Sequence, residues 1–556
     1  MQTKCLLQLQ LLLLGIQWLL ASPIYDSNER LNLSASCPSA SCSLWGLQSN
    51  YQRPLRYSAG QVSQLEELLL GNCQMRALPL ELLRLAPNLR ILIIQNCSVY
   101  HLYKEDFQAT PQLTQLILPR NHISRLREQQ FVALQQLEVL QLDHNGILVL
   151  QAEAFKGLSK LKLLGLQGNG IIQLVAGAFE PLPNLLNLDL SDNEISQINP
   201  ETFSKNSKLQ TLLLNGNQLK QFEPSCLAPR SNLRLLDLSN CRQLEQLHLH
   251  GAQRLMLEGS AVSRLIIDGG VINLQAGRNA MTQLHIGDKS AVIELDLHQN
   301  QLNVNATAEL LDGMWNLQRL DLSKNNIDSL SSVGGNSSTL SLLLPSLTDL
   351  NLAHNQLLSL PPDSSLLPGH LLQLDISYNH LLSVSADNFA ALPSLQSLHM
   401  ESNRLHEFDY ELFHRQHPRL QELGICDNEL GYTLMHNMLI YMSDRGIHLP
   451  VNCLRRPVHS MDTKSMSDEP VNAAQTCTPT GVGGIHPYWT TRDVLAMVTL
   501  LVVFCILIMQ LYNILKEEGW LGRMQQWLMG RQPDVVTGAN ARARRLNEED
   551  SESSSA

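Results

Sequence analysis

The chain has 556 residues, 16% of them charged, and a formal net charge of −11 with an isoelectric point near 5.9. That balance lacks the basic footprint nucleic-acid binding needs and excludes nucleic acid as the expected partner. The length allows several ordinary domains, but a fixed repeat lets one elongated domain take up most of it.

Residues 1–21 read as a signal peptide: Lys4, an apolar run from Leu6 to Leu20, then the small residues Ala21 and Ser22. An uncleaved anchor is the alternative, but Gln8, Gln10 and Gln17 interrupt the run. Residues 22–64 form an N-terminal flank or cap containing Cys37 and Cys42.

From residue 65 to residue 430 the pattern LxxLxLxx(N/C)x(L/I/V/M) recurs in fourteen clear copies. They begin at Leu65, Leu89, Leu113, Leu137, Leu161, Leu185, Leu209, Leu233, Val292, Leu317, Leu347, Leu371, Leu395 and Leu420, the first eight at a constant spacing of 24. Each LxL is a short strand, and a single copy cannot close a core, so neighbours must stack as a solenoid. The ninth position is Asn in eleven copies (Asn121, Asn145, Asn169, Asn193, Asn217, Asn300, Asn325, Asn355, Asn379, Asn403 and Asn428) and cysteine at Cys73, Cys97 and Cys241. A buried amide there has the donors and the acceptor to satisfy backbone groups of adjacent coils. Position 19 holds Phe107, Phe131, Phe155, Phe179, Phe203, Phe389 and Phe413, seven of the ten phenylalanines, which predicts an aromatic spine.

These residues resemble the extracellular leucine-rich-repeat family in its 24-residue form, with asparagine ladder and phenylalanine spine. The resemblance covers about two thirds of the chain. It implies an α/β fold, a leucine-rich-repeat solenoid curved as a horseshoe with a concave parallel sheet. The family motif specifies fold far more than function.

The frame breaks between Leu244 and Ala291, where LEQLHLHG, RLMLEGS, RLIIDGG and QLHIGD are irregularly spaced. Two or three degenerate coils are expected there. An insertion around Ser331 to Leu344 reads as an exposed loop. In residues 431–453, Leu434, Met435, Met438, Leu439 and Tyr441 fall at helical spacing, which predicts a capping helix over Thr433 to Tyr441. This cap resembles those of insect leucine-rich-repeat proteins. Residues 454–493, rich in Pro, Gly, Ser and Thr, read as a stalk. The 22 residues 494–515 are long enough for a transmembrane helix, at ~1.5 Å rise against roughly 30 Å of hydrocarbon. Basic residues from Lys516 to Arg545 follow it, which orients the chain as a single-pass type I plasma-membrane protein. The tail 516–556 is too short for a signalling domain, so signalling would need a partner chain in the membrane. Its Trp520, Leu521, Met524, Trp527 and Leu528 make one apolar helical face suited to the inner interface.

Removing Cys5 and Cys505 leaves nine external cysteines, three of them ladder positions expected to be reduced and buried. The other six are Cys37, Cys42, Cys226, Cys426, Cys453 and Cys477. A Cys426–Cys453 disulfide is expected, because the capping helix lies between them, with Cys37–Cys42 as the N-terminal counterpart. Sequons at Asn32, Asn96, Asn305 and Asn336 are candidate glycan sites; at Asn96 the adjoining inward Cys97 argues against access.

No nucleophile elbow, HExxH, Walker loop or paired-CxxC pattern occurs, so no enzyme, cofactor or metal is implied. His248 and His250 share one side of a strand, but two ligands are too few for a metal site. Aspartate recurs at the fifth position (Asp189, Asp237, Asp296, Asp321 and Asp375), which is read as keeping the strand soluble rather than as an acidic stripe. The third and fifth positions point out of the sheet. In the first five coils they include Leu69, Ile91, Ile93, Ile117, Val139 and Leu163, which predicts one apolar partner-binding patch local to the N-terminal end.

The expected function is cell-surface recognition, as receptor or co-receptor for a protein or glycan. The resemblance implies innate immune or developmental signalling. Adhesion in trans, and escort of another receptor in the secretory pathway, are the alternatives; homodimerisation is compatible with each.

Overall fold

The computed structural model describes residues 31–449 apart from 38, 50–56, 59–61, 229–232, 303–306, 308–309, 330–343 and 361–366. The expected signal segment, stalk, membrane span and tail, most of the insertion, and Cys453, Asn305 and Asn336 lie outside the described residues. Among the described residues no helix is long and apolar enough to cross a membrane.

The LxL words are strands, as the alternation requires. From Glu67 to Leu235 the strands of the main sheet pair in parallel at a constant offset of 24 residues, as in Leu140 with Leu164. One parallel sheet runs through sixteen consecutive pairings, from Ser41–Trp45 to Glu422–Gly424. The leucines at positions one, four and six face inward into a single core; Leu137, Leu140 and Leu142 are all fully buried.

The ladder interlocks the coils. Asn193 Nδ2 donates to the carbonyls of Leu166 (3.0 Å), Leu190 (3.0 Å) and Ser191 (3.1 Å), and Oδ1 accepts from the Ile171 N–H (3.1 Å). Leu166 O also accepts from Asn169, and Leu190 O from Asn217, so each of these carbonyls is held by two rungs. Cys97 fills the same place more weakly: its Sγ accepts from the Cys73 N–H at 3.3 Å and donates to Leu70 O at 3.4 Å. The residue before each ladder position is left-handed, from Asn72 (φ 51°) to Asp427 (φ 57°), which turns the chain sharply after the strand. Opposite the sheet, Phe107, Phe131, Phe155, Phe179 and Phe203 stack at centroid distances of 5.6, 6.5, 6.2 and 5.5 Å, and Phe389 meets Phe413 at 5.5 Å.

Where the frame breaks, the structure has three shortened coils. The pairings Leu235 with Arg254, Arg254 with Asn273 and Asn273 with Glu294 step by 19, 19 and 21 residues. Of the four irregular words, only RLMLEGS lies on the main sheet. LEQLHLHG and QLHIGD lie on a second parallel sheet across the core, made by Gln246–Leu249, Arg264–Ile267 and Gln283–Ile286, and RLIIDGG begins there. Strands thus replace the wider phenylalanine-bearing segments and shorten the coil. Glycines at the corner allow it: a Cβ at Gly287 would lie 1.9 Å from Asp268 O, and one at Gly269 would lie 2.6 Å from His250 O. Ser260 serves as a ladder residue here, donating to Leu238 O at 2.8 Å and accepting from the Cys241 N–H.

Both ends of the stack are closed. Ser41–Trp45 adds a rung before Leu65, and Cys37 and Cys42 beside it form a disulfide. The C-terminal helix spans Tyr432–Asp444, one residue earlier and three later than expected, and buries Met438 and Met442 on the last coil. Cys426 is disulfide-bonded; its expected partner, Cys453, lies outside the described residues. Cys73, Cys97, Cys226 and Cys241 are free and buried.

Candidate functional site: the outward face of the sheet

The register sets the third and fifth positions in two columns down the sheet. One column reads Glu67, Ile91, Gln115, Val139, Leu163, Asn187 and the other Leu69, Ile93, Ile117, Gln141, Gly165, Asp189. The sequence reading of a single exposed apolar patch is corrected on two points. Leu69 and Ile93 are only 1% and 8% exposed: with Trp45 they form a small cluster separate from the main core, against which Ile91 and Ile117 pack. The Trp45 ring lies over Gly71, where a Cβ would come within 2.0 Å of it. Second, Gln115 separates Ile91 from the adjoining pair Val139 and Leu163, so the six residues fall into two groups. Ile91, Ile117, Val139 and Leu163 remain half-buried on the outward face. Apolar residues also continue further along the columns than the sequence suggested, at Leu213, Leu235 and Met256.

The fifth-position aspartates have a local task that composition does not reveal. Oδ1 of Asp189, Asp237, Asp321 and Asp375 accepts the backbone N–H two residues on, at 3.0, 2.9, 2.8 and 2.9 Å. Asp296 does the same for His298, and Asn351 for Ala353. Each caps the end of its strand. One oxygen suffices for this; in Asp321 the second, Oδ2, accepts from Asn351 Nδ2 on the next coil at 3.0 Å.

Electrostatics along the face are uneven. His399 Nδ1 donates to Glu401 Oε1 (3.1 Å), and that contact, with Asp375 and Glu422 nearby, holds its pKa above the usual histidine value against the opposing effect of burial. Arg319 lies 2.7 Å from Glu294 and 3.9 Å from Asp349.

On the opposite sheet His248 and His250 both reach Asp268, at 2.9 and 3.1 Å, and these contacts hold its carboxyl below the usual range. All three are well exposed, and no group of three such residues among those described is arranged to hold a metal ion. Asn96 is exposed in its left-handed turn, with Nδ2 donating to Asn72 Oδ1 at 2.8 Å. Asn32 begins the described region in a short strand.

The leucine rich repeat family profile matches residues 87–147, 135–195, 183–244 and 345–405. No curated protein matches the sequence. Among solved structures, the chain is similar to the glycosylated form of the Drosophila Toll–Spatzle complex, with 18% identity and a TM-score of 0.52 over 76% of this chain and 64% of that one. It is also similar to a Leptospira interrogans leucine-rich-repeat protein (23% identity, TM-score 0.47, 74% and 89% of the two chains) and to the LRIM1/APL1C complex (18%, 0.45, 92% and 86%). At these identities the likeness is one of fold.

Proposed function

We propose that this chain, a solenoid of leucine-rich repeats, is a cell-surface recognition protein that binds a protein partner on the outward face of its sheet and signals, if at all, through another membrane chain. The observation that carries the reading is the face itself. It is a continuous parallel sheet whose half-buried Ile117, Val139 and Leu163 lie outside the main core, and apolar surface of that kind marks interaction sites. Toll, in complex with Spatzle, sets the class of partner proposed, a protein. Membrane attachment rests on the sequence of residues 494–515, and a role without catalysis on the absence of any catalytic motif.

Proximity labelling on intact cells, with the labelling enzyme fused ahead of residue 31, tests the reading. A secreted or surface protein enriched with the parent chain and lost with Ile117→Asp plus Leu163→Asp supports it. Enrichment of secretory-pathway residents alone would favour the escort role, and labelling unchanged by the substitutions would move the site off this face. Ile93 is avoided because its packing under Trp45 would confound folding with binding.

A further inference from the structure

Repeat chemistry accounts for aspartate at the fifth position, since it caps the strand. It does not account for acid at the third position, which caps nothing: Glu67 stands alone there in the N-terminal coils, whereas Glu294, Asp349 and Glu422 share the position in the C-terminal coils. With the fifth-position Asp296, Asp321 and Asp375 they line one hollow of about 710 Å³ on the sheet face, except Glu422, which lies beyond it. Arg319, paired with Glu294 and Asp349, and His399 are the basic side chains in that lining, against five carboxylates. At the other end of the hollow, Asn273 is 8% exposed; its Nδ2 donates to the Glu294 carboxylate, while its Oδ1 is buried without a hydrogen-bond partner. A buried acceptor left unmatched beside carboxylates calls for a donor that is also a cation.

We propose that the sheet face from Asn273 to Asp375 binds a basic, extended protein segment, whose arginine or lysine side chains lie between the carboxylates and donate to Asn273 Oδ1 once that side chain turns out of its buried position. This rests on the reading that the sheet face binds a protein, and it names that protein's chemistry. The acids are spread along rungs about 4.8 Å apart, which suits a row of cationic side chains better than one ion. Consistent with this, no three of the described acids and histidines are grouped to hold a metal. The sign of the charge disfavours nucleic acid and anionic membrane surfaces.

The test uses the full chain and a labelled nona-arginine peptide, with nona-glutamate as control. Asp296→Asn, Asp321→Asn and Asp375→Asn together remove three charges while keeping the capping oxygen, as Asn351 does naturally. The triple variant is expected to bind nona-arginine about tenfold more weakly or worse, whereas Asp189→Asn with Asp237→Asn leaves affinity unchanged. Equal weakening by both sets would reduce the effect to net charge and overturn the proposal, as would undiminished binding by the triple variant. Should the triple variant melt early, Glu294→Gln with Asp349→Asn, which cap no backbone N–H, replaces it under the same criteria. Failure here leaves the Ile117 and Leu163 experiment to decide separately whether the face binds a protein at all.

Discussion

Replacing Asn193 by alanine tests how the ladder holds the coils together. The substitution removes the only hydrogen bond made by the buried Ile171 N–H, a loss of about 1–3 kcal/mol. Leu166 O and Leu190 O keep Asn169 and Asn217 as donors, and Ser191 O keeps the Gly168 N–H, so each loses one of two bonds, worth roughly 0.5 kcal/mol apiece. The sum is about 3 kcal/mol, and in a stack bound by nearest neighbours it acts on the adjoining coils first. Asn193→Cys keeps a weak acceptor and a weak donor, as Cys97 does, and is expected to cost about half as much. Urea unfolding followed by circular dichroism gives the magnitudes, and hydrogen exchange should show lost protection centred on residues 161–217. An alanine variant within 1 kcal/mol of the parent, or a cysteine variant worse than alanine, would refute the reasoning.

Two further outcomes follow from burial and close approach. Burial pushes the Asp106 pKa up to about 6, above its unfolded value, so the folded state binds the proton more tightly; the resulting stability is present below about pH 4 and lost as pH rises through about 6. Asp106→Asn keeps an acceptor for the Tyr103 N–H and should therefore exceed the parent by about 1–3 kcal/mol at pH 7.5 and converge with it near pH 4, measured by urea midpoints; a less stable variant at pH 7.5 would contradict this. Gly287→Ala places a Cβ 1.9 Å from Asp268 O and should lower the melting temperature sharply, whereas Gly431→Ala, with nothing within 4 Å, should change it little.

The regular part of the fold was legible because its period is rigid: eight copies at a spacing of 24 fix the strand register, the ladder and the spine without any structure. The short coils were not, for a physical reason. With coils of 19 residues the leucine words LHLH and LHIG belong to the sheet across the core, and a ladder position filled by Ser260 does not match an Asn-or-Cys pattern. The site was half legible. Alternation correctly turned Ile117, Val139 and Leu163 outward, but Leu69 and Ile93 are packed with Trp45, which lies before the first recognisable repeat and carries no repeat signal. The third-position acids carry no repeat signal, since the LDLS wording marks the fifth position, and only the register across the shortened coil lines Asn273 up with Glu294 and Asp349.

The central claim, that the outward sheet face is the binding surface, is tested most directly by site-specific photocrosslinking on intact cells. A photoreactive residue at position 117, 139 or 349 is predicted to trap the same protein partner, while one at the exposed Lys156 or Glu180, near the phenylalanine spine, traps none. Partner crosslinks arising from positions 156 and 180, with none from the sheet face, would contradict the account.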